Sequence, residues 1–268
     1  MIDFFFAKKS HYDSTAVLDY FSSPVKVDIH AHLIPNVDDG AVDVHDSVKL
    51  IRGLYDMGLR KLIATPHVSE LYPNTSDTIL DGLIRLNQHL SKEKIDIQIS
   101  VAAEYMINDI FEEMIIKGEP LMTLPQKYIL VEMSHLSEPS NLLRVLSLLK
   151  AKGYKPVLAH PERYRFYNNN ITSFQRLKSL GCKFQVNLLS LIGYYGKMVS
   201  DCAWALLHNS MIDFIGSDLH NVRQLQLLKE NISPEVSHFL SMYPFQNDIF
   251  WEKIIKSNFH PKNTEGVC

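Results

Sequence analysis

The sequence predicts a parallel α/β fold: a seven-stranded (β/α)7 barrel, TIM-barrel-like, with a metal site at the C-terminal ends of its strands. Three observations predict it. Seven short apolar strands alternate with amphipathic helices, which implies a parallel sheet. Six of the seven strands run out onto His, Asp or Glu, and a barrel gathers such ends at one mouth. No Gly-x-Gly-x-x-Gly follows the first strand, which weakens a dinucleotide-binding alternative.

The first strand lies in the stretch Val25 to Gly40. Val25, Val27 and Ile29 alternate with Lys26, Asp28 and His30, so His30 and His32 project from one side. A turn follows at Pro35-Asn36, and Asp38-Asp39-Gly40 adds two carboxylates. Asp43 to Met57 is a helix, with Val44, Val48, Ile51, Leu54 and Tyr55 near a 3.6-residue period and Gly58 behind it. Lys61 to Thr65 is a buried strand followed by Pro66-His67, and Thr78 to Leu90 is a helix with Ile79, Leu83, Leu86 and Leu90 on one face. Asp96 to Ala103 alternates as a strand and runs into Glu104; Asn108 to Lys117 is a short helix ending at Gly118. Tyr128 to Val131 is a strand ending at Glu132, and Pro139 to Lys152 is a Leu-rich helix closed by Gly153. Lys155 to Ala159 is a strand ending at His160, followed by a helix over Thr172 to Leu180. Lys183 to Leu188 is a strand carrying Gln185 and Asn187 on one face, followed by a helix over Lys197 to His208. Met211 to Gly216 is the last strand, and Ser217-Asp218-Leu219-His220 follows it; two or three helices cover the remainder. The expected organisation is one barrel domain over 25–258. An aromatic-rich extension over 1–24 packs on the body or on a partner subunit, and a frayed tail covers 259–268.

Composition removes several function classes. The net charge is -3 and no Lys/Arg stripe occurs, so nucleic acid is not an expected partner. Cys182, Cys202 and Cys268 are odd in number and match no zinc motif, which implies structural thiols in a reducing compartment. No apolar run is long enough for a membrane span, and the start has no positively charged leader region. A cytoplasmic protein is expected.

The strand ends carry the chemistry. His30, His32, His67, Glu104, Glu132, His160, Asp218 and His220 converge in a barrel, joined by Asp38 or Asp39, which spacing alone does not separate. Imidazoles and carboxylates without thiolates suit Zn²⁺, Mn²⁺ or Fe, and the set exceeds what one ion needs. Such a cluster generates hydroxide near neutral pH and clamps a tetrahedral anion, so phosphoester hydrolysis is the expected reaction. Arg163, just beyond His160, offers a planar fork for two phosphate oxygens; the alternative is a surface arginine paired with Glu162. Other phosphatase routes are absent. A cysteine phosphatase needs Cys and Arg separated by five residues; Cys182 has Leu188 in the Arg position and Cys202 has His208. Neither Asp-x-Asp nor a phosphate-binding Gly-x-x-x-x-Gly-Lys-Ser/Thr loop occurs. His11, His45, His89, His135, His208, His238 and His260 read as surface or packing residues. Gln185 and Asn187 are candidate donors behind the ligands, and Tyr194 and Tyr195 either wall the pocket or pack.

These residues resemble the PHP (polymerase and histidinol phosphatase) superfamily and, within it, the bacterial manganese-dependent protein-tyrosine phosphatases of capsule and exopolysaccharide operons. The stretches that carry the likeness are Asp28-Ile-His-Ala-His32, Asp38-Asp-Gly-Ala41, Ala64-Thr-Pro-His67, Ala159-His-Pro-Glu-Arg-Tyr164, Gln185-Val-Asn187 and Gly216-Ser-Asp-Leu-His220. The resemblance implies a distorted seven-stranded (β/α)7 PHP barrel and three divalent ions, manganese first and iron or zinc as alternatives. It implies His30, His32, Glu104 and Asp218 on the first ion, with Glu104 bridging to a second held by Glu132 and His160. Asp39, His67 and His220 would hold the third, and Arg163, Asp39 and His67 are the implied catalytic residues. The implied substrate is the phosphotyrosine-bearing tail of a bacterial tyrosine kinase that controls polysaccharide export. Two departures stand out. Residues 1–24 precede a motif that usually lies near the N-terminus, which leaves a homo-oligomer open, and Val68 stands where the family often has a second His. Competing readings are a histidinol-phosphate or other small phosphomonoesterase, a nuclease of the same superfamily, disfavoured by the acidic balance, and a non-catalytic metal-stabilised regulator that binds a kinase.

Overall fold

The computed structural model describes residues 25–167 and 170–251. The expected extension over 1–24, the end of the barrel domain over 252–258 and the tail over 259–268 lie outside the described residues. In chain order the main elements are β1 (Val27–Ala31), α1 (Val44–Asp56), β2 (Lys61–Ala64), β3 (His67–Val68), α2 (Ser76–Glu93), β4 (Gln98–Val101), β5 (Glu104–Met106), α3 (Asp109–Lys117), β6 (Tyr128–Glu132), α4 (Leu142–Ala151), β7 (Lys155–Ala159), α5 (Ile171–Ser179), β8 (Lys183–Asn187), α6 (Leu188–Leu191), α7 (Lys197–His208), β9 (Phe214–Gly216), α8 (Val222–Asn231) and α9 (Pro234–Met242). Helix starts follow local chemistry: the side chains of Asp43, Thr75, Asn108 and Asn221 each accept a free N–H in the first turn of α1, α2, α3 and α8.

The strands are all parallel, but they do not form one closed seven-stranded cylinder. They form two sheets, ordered β1-β2-β4 and β3-β5-β6-β7-β8-β9. Two of the expected strands, β2 and β4, are each followed after a break by a short further strand, β3 and β5. Pro66 has no N–H to give, and the N–H groups of its neighbours are spent elsewhere: Thr65 on Ala31 O at 2.9 Å and His67 on Asp38 Oδ2 at 3.0 Å. Ala103 likewise turns its N–H to Met122 O at 3.2 Å, leaving Ala102 N on Ala64 O at 2.9 Å and Glu104 N on Pro66 O at 3.1 Å to carry the connection. At the other seam, between β9 and β1, the carbonyl of His30 accepts from Asp218 N at 2.8 Å and His32 N donates to Leu219 O at 3.0 Å. The Asp28 carboxylate sits where a ladder would run, accepting from Ser217 N at 3.0 Å.

The expected alternation along β1 is seen at the site: Val27 and Ile29 pack in the core while His30 and His32 join the site residues. The register with β2 shifts between Asp28 and Ala31. The core has two parts. A small cluster of strand residues (Val27, Ile29, Ile63, Leu130, Val157 and Phe214) is joined by Phe250. Leu130 shares a face of β6 with Glu132, so this cluster lies directly beneath the site. The larger cluster packs the helices against the outer faces of the sheets, with Leu50, Leu54, Leu86, Phe111, Leu146 and Leu177 among its members.

Candidate metal centre

All nine expected ligands meet at the C-terminal ends of the strands. His30 Nε2 and His32 Nε2 lie 3.3 Å apart. Glu104 Oε2 is 3.2 Å from the first and 3.5 Å from the second, and Asp218 Oδ1 is 3.3 Å from each. On the next side of Glu104, His67 Nδ1 is 3.1 Å from Oε2 and 3.0 Å from Glu132 Oε1. His160 Nε2 is 3.2 Å from Glu104 Oε1 and 3.9 Å from Glu132 Oε2. At the outer edge Asp39 Oδ1 is 3.4 Å from His67 Nε2 and 3.7 Å from His220 Nε2. Donor atoms of His32, Asp39, His67 and His220 form one group, and those of His67, Glu104 and Glu132 another. His67 thus stands between two positions, and Glu104 presents both of its oxygens.

Backbone strain and close packing hold the arrangement. His160 and Asp218 have φ of 35° and 51°, the left-handed region that costs a non-glycine residue on the order of 1–3 kcal/mol. A Cβ on Gly40 would stand 2.4 Å from His32 O, and one on Gly216 would stand 2.7 Å from His30 Cβ. Both glycines are therefore required by the approach of the β1 histidines.

Behind the ligands is a layer of hydrogen bonds. Gln185 Oε1 accepts from His30 Nδ1 at 2.7 Å, and Asp38 Oδ2 accepts from His32 Nδ1 at 2.7 Å. Each bond puts the ring proton on Nδ1 and leaves Nε2 free to ligate. Asp38 also accepts from Gly40 N at 2.9 Å and His67 N at 3.0 Å, so it ties three site segments together. Gln185 Nε2 donates to Asn187 Oδ1 at 2.8 Å, and Asn187 Nδ2 donates to Asp218 Oδ2 at 2.6 Å. Spacing left Asp38 and Asp39 as alternatives; in the fold Asp38 turns inward onto His32 and Asp39 faces His67 and His220.

The charges fit cations. Burial opposes ionisation of Glu104 and of Asp218, yet His30 with His67, and His30 with His220, hold these carboxyls well below the usual range. Burial and the neighbouring Glu104 push Glu132 up. Burial lowers His67, but Glu104 and Glu132 outweigh it and raise the imidazole to about 10. Burial and Arg163 hold His160 down at about 3, a neutral ring with a free lone pair. The buried atoms Glu104 Oε2 and His67 Nδ1 make no hydrogen bond although they face each other. Oxygen and imidazole donors whose atoms are aimed at one another, with no protein group between them, fit divalent ions of the Mn, Fe or Zn kind.

Arg163 reaches this cluster. Its Nη1 donates to Asp218 Oδ2 at 3.0 Å, and its guanidinium lies 4.3 Å from the centre of the Tyr195 ring. The alternative pairing with Glu162 is not formed. Glu162 is fully buried and turned away, its Oε1 accepting from Asn187 N at 3.0 Å and Ser190 Oγ at 2.6 Å. Sequence reasoning missed Glu162 as a buried brace, and the only signal was its place in the His-Pro-Glu-Arg-Tyr stretch. It missed Asp28, whose carboxylate joins β1 to Ser217. His135, expected at the surface or in packing, has its ring 5.8 Å from that of His160.

Comparison with known proteins agrees with this geometry. The chain is 32% identical over 224 residues to the tyrosine-protein phosphatase YwqE of Bacillus subtilis, covering 80% of this chain and 88% of that one. It is 27% identical over 203 residues to the tyrosine-protein phosphatase CpsB of Streptococcus agalactiae serotype V, covering 73% of this chain and 83% of that one. Among solved structures, one from work on YwqE of Bacillus subtilis and CpsB of Streptococcus pneumoniae, described as unique metal-dependent tyrosine phosphatases, superposes with a TM-score of 0.70 at 31% identity and covers 82% of this chain and 94% of that one. A lactonase of Listeria monocytogenes shares the fold alone, with a TM-score of 0.54 at 11% identity over 85% of this chain and 95% of that one. The sequence signature of the capsular polysaccharide synthesis family CpsB/CapC matches residues 26–230. The chain belongs to the CpsB/CapC family.

Proposed function

We propose that the protein is a metal-dependent protein-tyrosine phosphatase that hydrolyses phosphotyrosine on a bacterial tyrosine kinase controlling capsular or exopolysaccharide synthesis. The observation that carries the reading is the convergence of nine His, Asp and Glu side chains on one mouth with Arg163 beside them. The names of the relatives, tyrosine-protein phosphatases in each case, support the choice of phosphotyrosine. In this proposal His30, His32, Glu104 and Asp218 hold one divalent ion. Glu104, Glu132 and His160 hold a second, with His67 in reach, and Asp39, His67 and His220 hold a third. Manganese is the proposed metal, with iron and zinc as alternatives. When bound, such ions supply positive charge to phosphoryl oxygens and acidify a water molecule.

The chain's own residues supply position and order. Gln185 and Asp38 fix the β1 imidazoles in the tautomer that ligates. Arg163 is fastened by Asp218 through Nη1 and by the Tyr195 face, so its remaining N–H edge is held in one orientation toward the mouth. That edge matches two oxygens of a phosphoryl group with parallel hydrogen bonds. The proposed location is the cytoplasm; among the described residues no helix is long and apolar enough to cross a membrane.

The test is turnover by the purified protein on a phosphotyrosine peptide, a phosphoserine peptide and histidinol phosphate, with Mn²⁺, Fe²⁺ or Zn²⁺ and with a chelator. Phosphotyrosine hydrolysis that disappears with the chelator supports the proposal. Preferred hydrolysis of histidinol phosphate would move it to the small phosphomonoesterase reading, and no hydrolysis at all would move it to a metal-stabilised regulator.

A further inference from the structure

A groove of about 460 Å³ leads away from the mouth on the β3–β5 side, between the loop at 68–74 and one face of α3. Its near end is built from the same backbone as the site. Val68 directly follows His67, and Asn108 follows Ile107, whose N–H bonds Glu132 O at 2.9 Å. Asn74 Nδ2 donates to His67 O at 2.9 Å and to Val37 O at 2.8 Å, fixing the loop to the ligand-bearing segments. Ile110, Phe111, Met114 and Pro73 give the groove an apolar lining. Of its lining, Ile110 stands 48% open to solvent, and Leu71, between the lining residues Glu70 and Pro73, is 84% exposed. The polar part of the lining is one-sided: Glu70, Glu113 and Glu119 face a single cation, Lys117, which Glu113 already holds at 2.9 Å. None of these side chains takes part in the hydrogen-bonded layer behind the ligands.

We infer that this groove receives the peptide segment beside the phosphotyrosine, and that it selects segments in which apolar residues are followed by a Lys or Arg. The inference rests on the phosphotyrosine reading and deepens it from a residue to a sequence context. The occupant is argued from continuity and charge. The groove begins at Val68 and Asn108, which adjoin His67 and Ile107 in the chain, so a peptide whose phosphotyrosine sits in the mouth passes its flank along it. The unmatched carboxylates of Glu70 and Glu119 favour a cationic flank. The 9 residues of α3 span about 13 Å, a length that roughly four extended residues cover. The basic residue is accordingly expected about three to five positions from the phosphotyrosine. A compact phosphomonoester fills only the mouth and gains nothing from the groove.

The experiment uses the metal-loaded protein and pairs of phosphotyrosine peptides that differ only in Lys or Glu, placed in turn at the third to fifth position on each side. Both kcat/KM and peptide Kd by fluorescence anisotropy are measured. The Lys peptide should be favoured about fivefold or more at one of these positions, as two exposed charge pairs allow. The preference should shrink at about 0.5 M salt. Glu70→Lys with Glu119→Lys should reverse it toward the Glu peptide while turnover of para-nitrophenyl phosphate stays unchanged. A preference below about twofold at every position, or one that survives the double substitution, overturns the inference. If no phosphate ester is hydrolysed but the Lys peptide still binds preferentially and the double substitution reverses this, the phosphatase reading fails and the groove stands as a docking site. If binding shows no such preference, the groove inference itself fails.

Discussion

The deep and the outer halves of the metal centre use the same residue types and are held in different ways. His30 and His32 are 0% exposed, and each has its second ring nitrogen bonded to a side chain, Gln185 or Asp38. At the outer edge Asp39 is 52% exposed, and His220 has its Nδ1 on the backbone carbonyl of Asp218 at 3.0 Å. Asp39 itself faces His67 and His220 at ion-pair distance, and among the described residues no side chain braces it from behind. The deep half is therefore shaped by the fold before any ion arrives, and the outer half takes its final order from what binds. In the proposed three-ion reading, the inner ions should be retained tightly and the rim ion should exchange.

The largest effects are expected in the deep half. His32→Ala or Glu104→Ala should lower turnover of an aryl phosphate by at least ~100-fold, because each removes a ligand that no neighbour replaces. Chelation should abolish activity and Mn²⁺ should restore it; full activity in metal-free protein would rule out the metal mechanism. A graded chelator titration followed by metal analysis tests whether the two halves hold metal differently. Wild type should lose metal in steps, and His220→Ala should remove the first step while leaving the tighter metal in place. A single step in wild type would show that the two halves are not energetically distinct.

Arg163 sits at the boundary between the halves and comes next. Arg163→Ala should lower kcat/KM by ~10², roughly 3 kcal/mol, with bound metal retained. Arg163→Lys should recover only part, since an ammonium is a point charge without the fork. Metal content measured beside the kinetics separates a lost phosphate contact from a disturbed Asp218.

How much of this was legible in the sequence follows the same division. The convergence of the proposed ligands was legible because strand ends in a parallel α/β fold meet, and His67, Glu104, Glu132 and His160 are brought together as topology alone expects. The support was less legible. Gln185 and Asn187 were suggested by sharing a strand face. Asp38 and Asp39, adjacent in the chain, have opposite destinations set by the turn that Gly40 allows against His32. Spacing cannot express that. Sheet closure was not legible either. Alternation suggests seven continuous strands, but the breaks at Thr65-Pro66 and Ala102-Ala103 arise from where individual N–H groups find acceptors, some of them far along the chain. Glu162 entered only in the alternative, as the partner of a surface Arg163, because a charged residue beside a charged residue gives no sign that it is buried on Ser190.

A smaller effect is expected one layer back. Gln185→Ala leaves every ligand in place but frees the His30 ring to rotate or change tautomer. Metal affinity of the deep half should fall about 10-fold, within the range for residues that orient a ligand, and added Mn²⁺ should restore turnover. Loss that no metal concentration restores would mean Gln185 acts on substrate instead.

The smallest effect is expected from the cysteines, and it bears on mechanism more than on size. Burial pushes the Cys182 and Cys202 thiols up to about 12. A raised thiol pKa means less thiolate at a given pH; near pH 8 the ionised fraction is on the order of 10⁻⁴, too small for an efficient nucleophile. Cys182 is also 2% exposed and packed in the core rather than at the mouth. Cys182→Ser should therefore cost stability, about 1–2 kcal/mol for a hydroxyl placed among apolar neighbours, and lower Tm. Turnover per folded molecule should stay within about twofold of wild type, as should that of Cys202→Ser. Iodoacetamide at neutral pH should leave activity intact, because the reagent needs the thiolate that burial suppresses. The decisive measurement is kcat of each serine variant, normalised to folded protein by near-UV circular dichroism. A well-folded serine variant without activity would return the chemistry to a cysteine nucleophile and leave the nine converging ligands as a structural metal site.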